Sequence, residues 1–416
     1  MSARGGLADR RAVVRAAAEG EASLRGSPCA AAPTANPMSA GALTILHLAA
    51  NRWWTGSADP TIQLASAQQA RGHRVLLAVP PGDRFEAKAR EAGLTLVEGF
   101  HLRARLAPLQ IARDAGRLRC VAREQAVDVL HAHHSHDHWL ALLARPRSGG
   151  RRPPVARTFH SLRAVKRDAV SRRLYRRTDA ALAVSRQIEA RCRDAGVPPE
   201  RVYWTPGMAD LPRFAAEADG RAVREEFALG DAPVVVSVAR LAPNRGHELL
   251  LAGFRGLLAD LPAARLLLVG KGETRERLER LVAEQGLTRH VTFAGYRDRD
   301  LPSVLAAADC FALMAPGSDD SCRAALEAMA AARPVVARAL GALPETVAHG
   351  ETGFLVEDDR PEAVAWALRS VLTDRARARA MGAAGRRRAE KEFSPARAVE
   401  TVERAYRAML GARPGR

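Results

Sequence analysis

Short apolar segments of strand length alternate with helical segments from residue 43 to residue 391 of this chain of 416 residues. Continuous apolar strands separated by helices are typical of a parallel sheet that is covered by helices on both faces. The alternation therefore predicts an α/β fold, and the length of the chain predicts more than one domain. The sequence contains no apolar run of about 18 residues, so no transmembrane helix is expected.

The predicted strands fall into two series, separated by an irregular loop at 205–215 that contains two prolines and Gly207. Strands of the first series are predicted at 43–49, 74–79, 94–97, 127–131, 155–159, 180–184 and 202–204. Strands of the second series are predicted at 234–238, 265–269, 291–294, 310–313, 335–337 and 354–356. Helices are predicted near 59–71, 84–92, 108–125, 136–145, 165–177, 186–195, 246–260, 274–286, 300–307, 322–332, 361–373, 375–391 and 395–410.

Two Rossmann-like domains, each a doubly wound parallel sheet, are the simplest architecture for this pattern. The N-terminal domain is assigned to residues 38–205 and the C-terminal domain to 206–394, with a last amphipathic helix and tail at 395–416. Residues 1–37 lack clear apolar periodicity and a secretory signal, so we interpret them as a disordered tail or an over-extended gene start. The cleft between the two domains is the expected ligand site.

The net charge of the chain is +18, almost all of it from arginine. A solvated basic surface, an anionic membrane, a phosphorylated substrate and a nucleic acid all agree with this charge. The sequence shows neither a helix-turn-helix nor an aromatic-rich RNA-binding pattern, so no nucleic-acid partner is expected. Five scattered cysteines without a CxxC motif indicate free thiols and a cytoplasmic location.

Residues 162–177 carry seven basic side chains against a single acid, Asp168. Apolar residues interleave with the basic ones, and this pattern predicts a basic amphipathic helix. Such a helix suits peripheral contact with an anionic membrane, or with an acidic acceptor, through Arg163–Arg177. A solvated helix face explains the same pattern.

Two arginines follow the first strand of the second series, in the loop 239–246. Arg240 and Arg245 are expected at the carboxyl edge of the sheet, where their guanidinium groups can grip a diphosphate. Two ordinary surface arginines would also produce this sequence. Gly270 lies in the next strand-to-helix turn, which either lets the backbone approach a ligand or is an ordinary turn.

A histidine-rich stretch, residues 131–138, ends a strand of the first series. Five histidines raise the possibility of a metal site, but the spacing fails the HxHxDH hydrolase signature and no later cluster supplies further ligands. We therefore expect no metal. A histidine at the end of the strand, His133, is interpreted as a hydrogen-bond donor to substrate. Gly56, in the loop after the first strand, permits a close backbone approach.

Residues 315–337 combine a Pro-Gly-Ser turn, two acids and a run of strong helix formers that ends before an apolar strand. Asp319 or Ser321 is the expected N-cap, and the N-terminus of the helix is a candidate anion site. Glu327 lies eight residues after Asp319, so it can reach a different part of the same ligand.

Taken together, these segments resemble the retaining family 4 glycosyltransferases (glycosyl transferases group 1), which have the GT-B fold. The strand and Arg-Leu loop of that family are matched by Val238–Gly246, with Arg245 in the place of a lysine. Its E-x7-E element is matched by Asp319 and Glu327, and the following E-A-M-A-x-G-x-P-V-V by 327–336. Gly350–Val356 matches as well, and residues 128–133 agree more loosely.

The resemblance implies a transfer of sugar from a nucleotide-diphosphate sugar to a lipid-linked, lipopolysaccharide-type or other glycan acceptor, without a metal or other cofactor. It also implies a C-terminal helix that packs back on the first domain. The expected location is peripheral, at the inner face of the cytoplasmic membrane. Its implied catalytic residues are His133, Arg240, Arg245, Asp319 and Glu327. Its implied donor-binding residues are Gly56, Gly270, Ser321, Cys322 and Arg323.

One loop departs from the family pattern. Asp319 replaces a glutamate, and Asp320-Ser321-Cys322 stands where the family has Gly-Phe-Gly. The departure implies a different donor sugar or a lost activity. Three further readings remain open for the chain: a GT-B nucleotide-sugar epimerase or sugar-phosphate transferase, a non-catalytic nucleotide- or polyanion-binding protein, and a metal hydrolase.

Overall fold

Two parallel sheets with helices on both faces form the protein, as seen in a computed structural model that describes residues 41–50, 58–102, 107–144, 152–215, 218–316 and 320–411. The predicted tail at 1–37 lies outside these residues, as do Gly56 and Asp319. Parallel strands joined by crossover helices bury their backbone hydrogen bonds between layers, which is why the strands read as continuous apolar runs.

The first sheet has seven strands in the order β3-β2-β1-β4-β5-β6-β7. Its strands are β1 (Thr44–Leu48), β2 (Arg74–Ala78), β3 (Thr95–Leu96), β4 (Val129–Ala132), β5 (Val155–Phe159), β6 (Ala180–Ala183) and β7 (Val202–Trp204). The helices of this half are α1 (Ala58–Ala70), α2 (Arg84–Glu91), α3 (Pro108–Glu124), α4 (Ser135–Ala144), α5 (Ala169–Tyr175) and α6 (Arg186–Asp194), with 3-10 turns at Leu162–Ala164 and Pro199–Arg201.

The second sheet has six strands in the order β10-β9-β8-β11-β12-β13. Its strands are β8 (Val234–Val238), β9 (Arg265–Val269), β10 (Val291–Gly295), β11 (Cys310–Leu313), β12 (Val335–Arg338) and β13 (Gly353–Val356). The helices that follow the first half are α7 (Arg221–Glu226), α8 (His247–Leu257), α9 (Arg275–Glu284), α10 (Leu301–Ala306), α11 (Arg323–Ala330), α12 (Leu343–Thr346), α13 (Pro361–Leu372), α14 (Arg375–Glu392) and α15 (Pro395–Gly411).

All thirteen predicted strands are present, with ends that agree to within two residues. The sequence analysis missed two short helices, α7 and α12. It was wrong about the basic helix over 165–177, because only Ala169–Tyr175 is helical. The Asp168 side chain accepts a 2.9 Å hydrogen bond from the Ser171 N–H and so caps α5, while the Tyr175 hydroxyl accepts from the Lys166 N–H and holds the preceding residues outside the helix.

The last helix packs against the first sheet, as the resemblance implied. Ala398, Val402 and Tyr406 of α15 are fully buried in one cluster with Ile45 and Val129 of the sheet. Glu403 of α15 adds polar contacts, since its carboxylate lies 2.7 Å from Arg71 Nε and 3.1 Å from His73 Nε2. The chain therefore returns to its first half after completing the second.

Further polar groups of this interface lie at the carboxyl ends of the strands. His47 of β1 is the register partner of His131 of β4, and His133 is two residues further along on the same face. Near the beginning of β1 and β4, Ile45 and Val129 are apolar, whereas the same strands are rich in histidine at their ends. Among the described residues, no helix is long and apolar enough to cross a membrane.

Candidate active site

Both sheets reverse their strand order at one position, between β1 and β4 in the first and between β8 and β11 in the second. In open α/β sheets, ligands bind outside the carboxyl ends of the strands at such a reversal. His133 follows β4, Arg240 follows β8, and the segment 320–322 before α11 follows β11. The predicted residues thus come from the two reversal points.

The two predicted arginines lie at the end of β8, in different surroundings. Arg240 is two-thirds exposed, and its Nη2 lies 2.9 Å from Glu273 Oε2. Arg245 is half-buried, and its Nη1 donates a 2.7 Å hydrogen bond to the Pro316 carbonyl, just ahead of α11. Burial lowers the pKa of Arg245, and the positive charges of Arg240 and Arg163 lower it further. The carboxylates of Asp320 and Glu273 oppose this lowering, so three guanidinium groups and two carboxylates share this region.

Gly270 serves the packing of its own chain. A Cβ at this position would lie 2.0 Å from the Ala239 carbonyl oxygen, and a Cβ on Gly272 would lie equally close to the Leu241 oxygen. The Leu241 N–H donates to the Lys271 carbonyl, so the arginine loop and the glycine turn form one packed unit. The requirement for glycine at 270 thus has a structural cause, independent of any ligand.

The N-cap of α11 is Cys322, with φ of 54° in the left-handed region, so the expectation of Asp319 or Ser321 as the cap was wrong. Ser321 and Cys322 are both buried, at 3% and 1% exposure. The Cys322 thiol lies 3.4 Å from the Asp320 carbonyl and packs into the core of the second half. Side chains so deeply packed leave the backbone as the part of this segment that could contact a ligand.

Glu327 is buried on α11, with 4% of its surface exposed. Its Oε1 lies 3.3 Å from Arg323 Nε, and Arg323 Nη1 lies 2.7 Å from the Asp59 carboxylate on α1. Burial raises the pKa of Glu327, and the charge of Arg323 opposes that rise. Arg323 therefore joins an acid of the first half to an acid of the second.

His133 is 3% exposed and belongs to a buried network of rings. Its Nε2 lies 2.9 Å from His47 Nδ1, and its Nδ1 lies 3.2 Å from Thr61 Oγ1 and 3.3 Å from His160 Nε2. Burial holds its pKa well below the ordinary value, and the neighbouring histidines add to this effect. The ring is therefore neutral.

Two more contacts complete the network behind His133. His47 Nε2 lies 2.7 Å from Gln68 Oε1, and the Gln68 amide nitrogen donates to the Tyr406 hydroxyl at 3.2 Å. His131 lies 2.6 Å from the same hydroxyl through Nδ1 and 2.7 Å from Thr158 Oγ1 through Nε2. A chain of hydrogen bonds thus runs from α15 to His133.

His47, His131 and His133 present ring nitrogens within 4.8 Å of one another, a spacing that a metal ion could use. Each of the six nitrogens, however, already lies within hydrogen-bond distance of a protein group. A metal would have to displace those contacts. The arrangement fits a hydrogen-bonded network better than a ligand set.

The two halves meet through the segment in which this chain departs from the family pattern. The Asp320 N–H donates to the His160 carbonyl at 2.8 Å, and the Asp320 carboxylate accepts from the Leu162 N–H at 2.7 Å. At Gly207, a Cβ would lie 2.7 Å from Leu326 Cδ1 and 3.0 Å from Ser321 Cβ. The link between the halves thus passes directly over the start of α11.

Sequence reasoning missed several side chains of this site. One signal was available, because parallel pairing of β1 with β4 places His47 beside His131, and the two-residue period places His133 on the same face. The other contacts join residues far apart in the chain and leave no local pattern. The missed residues are His47, Asp59, Thr61, Gln68, His160 and Tyr406.

The protein has two Rossmann-like halves, and arginines and a histidine lie where the strand order of each sheet reverses. This arrangement is typical of the GT-B glycosyltransferases. The family model "Glycosyltransferase Family 4" matches residues 56–213, and "Glycosyl transferases group 1" matches residues 221–388. The chain belongs to the family 4 glycosyltransferases. It is thus a glycosyltransferase that depends on a nucleotide sugar, as the sequence predicted.

Among curated relatives, the GDP-mannose-dependent alpha-(1-6)-phosphatidylinositol monomannoside mannosyltransferase of Mycolicibacterium smegmatis is 36% identical over 291 residues, which cover 68% of each chain. The D-inositol 3-phosphate glycosyltransferase of Rhodococcus opacus is 31% identical over 328 residues, which cover 70% of each chain. Both relatives are named for acceptors that contain inositol.

Solved structures agree on the fold. A glycosyltransferase from Rickettsia africae superposes with a TM-score of 0.78 at 18% identity, covering 89% of this chain and 99% of its own. HepE of Anabaena in complex with UDP-glucose superposes with a TM-score of 0.74 at 21% identity, covering 89% of this chain and all of its own. At these identities the likeness concerns the architecture alone.

Proposed function

We propose that this protein transfers mannose from GDP-mannose to a phosphoglycolipid that contains inositol, with retention of the anomeric configuration. The observation that carries the proposal is the convergence of Arg240, Arg245 and the N-terminus of α11 at one reversal point, opposite His133 at the other. The donor and acceptor classes come from the printed names of the relatives at 36% and 31% identity.

In this proposal the arginines stabilise the departing diphosphate. The bond between the anomeric carbon and the β-phosphate oxygen breaks, and its electron pair leaves one additional negative charge on the departing β-phosphate. Arg240 and Arg245 would exchange their contacts with the Glu273 carboxylate and the Pro316 carbonyl for contacts with the departing phosphate. Cationic side chains in this role make a divalent metal unnecessary.

Retention follows if the acceptor attacks the face that the diphosphate leaves. The acceptor hydroxyl oxygen bonds to the anomeric carbon, and its proton passes to the departing phosphate oxygen. The reaction thus needs no external base. Contact between the two halves, as at Asp320 and Leu162, would exclude water while the sugar is transferred.

Other side chains of the site are assigned to the donor. Glu327 would accept hydrogen bonds from the ribose hydroxyls, each contributing about 1.5–3 kcal/mol because the acceptor is charged. Asp319 would contact the sugar, and the backbone of Ser321, Cys322 and Arg323 would face the phosphates. Gly56 and Gly270 would line the donor site through their backbone.

The acceptor is expected to enter beside Leu162. This residue is tied to Asp320 at the donor side, and the basic segment 163–177 begins directly after it. The seven cations of this segment are exposed, as is Val170 at 56%. A cationic surface next to the cleft suits the phosphate of an anionic lipid at the inner face of the cytoplasmic membrane.

A donor panel tests the proposal first. Thermal shift with GDP-mannose, GDP-glucose, UDP-glucose and ADP-glucose should single out GDP-mannose, followed by release of GDP when phosphatidylinositol mannoside is added. Isomerised nucleotide sugar without an acceptor would identify an epimerase instead. Salt-sensitive nucleic-acid binding without nucleotide release would identify a polyanion-binding protein. A flat response to every nucleotide sugar would contradict the proposal.

Vesicle sedimentation tests the membrane contact separately. Reversal of charge at Arg167, Arg172 and Arg173 should abolish binding to vesicles of phosphatidylglycerol and leave the response to GDP-mannose intact. The matched control reverses Arg255, Arg280 and Arg369, which lie on helices of the second half. Equal vesicle binding by the two triple variants would argue against a membrane role for the segment.

A further inference from the structure

We infer that Gln68 and His47 are positioning residues that hold His133 in its Nε2–H tautomer, so that its Nδ1 meets a substrate hydroxyl as a hydrogen-bond acceptor. The inference rests on the proposed function for the identity of that hydroxyl, which belongs to the donor sugar or to a position of the acceptor that does not react. The sequence had suggested the opposite polarity, with His133 as the donor of the hydrogen bond.

The Gln68 amide sets the direction of the hydrogen bonds from Tyr406 to His133. Its nitrogen donates to the Tyr406 hydroxyl, and its Oε1, which can only accept, lies 2.7 Å from His47 Nε2. His47 Nε2 therefore carries the proton. Burial lowers the pKa of His47 to about 4, so the ring holds one proton and its Nδ1 bears a lone pair.

The same reasoning applies to the next ring. His47 Nδ1 accepts, so His133 Nε2, at 2.9 Å, must donate. His133 is neutral and buried, which leaves its Nδ1 as an acceptor. The contacts of that Nδ1 with Thr61 Oγ1 and His160 Nε2 are long, at 3.2 and 3.3 Å. A substrate hydroxyl could replace them at a shorter distance.

The position of this lone pair relates to the opposite half of the protein. His160, whose ring lies near His133 Nδ1, accepts the Asp320 N–H through its carbonyl. Asp320 is two residues before the cap of α11, so His160 connects the acceptor atom of His133 to the segment assigned to the donor.

Gln68→Glu is designed to reverse the direction of the hydrogen bond between His47 and His133. A carboxylate beside His47 would stabilise the imidazolium, whose Nδ1–H would then donate to His133 Nε2. His133 would shift to its Nδ1–H tautomer and lose its acceptor. Gln68→Leu removes the fixed direction without adding a charge. Gln69→Glu adds the same charge on the exposed side of α1 and is the matched control.

Long-range 1H–15N correlation spectra of the full-length protein, labelled with 15N-histidine, report the tautomer directly, and His133→Asn assigns the signal. We expect Nε2–H in the wild type and in Gln69→Glu, and Nδ1–H in Gln68→Glu. The Gln68→Glu variant should lose at least about tenfold in kcat while its KM for the donor changes less than about twofold, as expected for the loss of a hydrogen bond that is made only in the transition state.

Nδ1–H for His133 in the wild type would overturn the inference, even if no variant of Gln68 folds. Equal kcat in Gln68→Glu and Gln69→Glu, with the tautomer reversed, would overturn the role of the lone pair in the reaction. If the tautomers behave as expected while the wild type transfers no sugar to any acceptor, the positioning of His133 by Gln68 and His47 is supported and the proposed function is contradicted.

Discussion

The Asp320 carboxylate accepts a 2.7 Å hydrogen bond from the Leu162 backbone N–H, 158 residues earlier in the chain. The Asp320 N–H donates in turn to the His160 carbonyl, so one residue makes two bonds between the halves. A glycine, which the resemblance places at this position, would lack the carboxylate. The departure from the family pattern thus has a structural consequence as well as any effect on sugar choice.

Asp320→Gly should weaken the contact between the halves and raise the KM for the donor about fivefold, since a hydrogen bond to a charged group at a half-buried site contributes about 1 kcal/mol or more. The reason is that a smaller closed fraction lowers the apparent affinity. Asp320→Asn keeps an acceptor oxygen and should retain most of the affinity. Equal KM values for the wild type and Asp320→Gly would show that the contact does not govern closure.

Arg240→Ala and Arg245→Ala should each lower kcat by about 10²–10³, because each removes a charge that stabilises the leaving diphosphate. Steady-state release of GDP measures the effect. Arg369→Ala is the control, since Arg369 is also a half-exposed arginine of the second half, paired with Asp260. Full turnover in Arg240→Ala would contradict the assigned role.

Acid should destabilise the protein from about pH 6.5 downward, because burial disfavours the protonation of five histidine rings in the folded state. Burial lowers the pKa of His47 and His247 to about 4, and lowers the pKa of His131, His133 and His138 well below the ordinary 6.5. These rings take up protons near pH 6.5 only when the chain unfolds. The contribution of these rings to the free energy of unfolding is therefore fully present above pH 6.5. It decreases toward pH 4 by about 1.4 kcal/mol per pH unit for each ring.

Urea unfolding between about pH 7.5 and 5.5 measures this slope, which counts the protons taken up on unfolding. His247→Gln should reduce the slope by about one proton in the acid part of the range. A free energy of unfolding that stays constant down to about pH 5.5 would show that the rings can be protonated in the folded protein.

Removal of metal ions should leave turnover unchanged. The ring nitrogens of His47, His131 and His133 already have protein partners, and in the proposed mechanism arginines supply the charge for the diphosphate. Dialysis against a chelator, followed by the GDP-release assay with and without added zinc or magnesium, checks the expectation. Loss of activity that a divalent ion restores would contradict it.

The strands could be predicted because both faces of each sheet are covered by helices. Consecutive residues of a strand are therefore apolar, and such a run can be recognised from the local sequence alone. The arginines could be placed for a related reason, since a loop after a predicted strand must lie at the carboxyl edge of the sheet. Arg240 and Arg245 accordingly lie where the pattern indicated.

The remaining features depend on contacts between distant residues. Cys322 adopts the left-handed conformation at the start of α11, a position for which cysteine carries no local preference. The helix in the basic segment begins only after Asp168, because the Asp168 side chain caps it. The Tyr175 hydroxyl accepts the Lys166 N–H, which a longer helix would need for its own backbone hydrogen bonds. The bond between Asp320 and Leu162 exists only once both halves are folded.

The packing of α15 on the first sheet has a consequence for protein synthesis. The first sheet emerges from the ribosome before the second half, yet the side chains that cover one of its faces, among them Val402 and Tyr406, are translated after the second half. While the second half is being made, the nascent chain exposes Ile45, Val129 and their neighbours. Exposed apolar surface on an incomplete domain promotes aggregation, so the nascent chain should depend on chaperones until α15 has been synthesised.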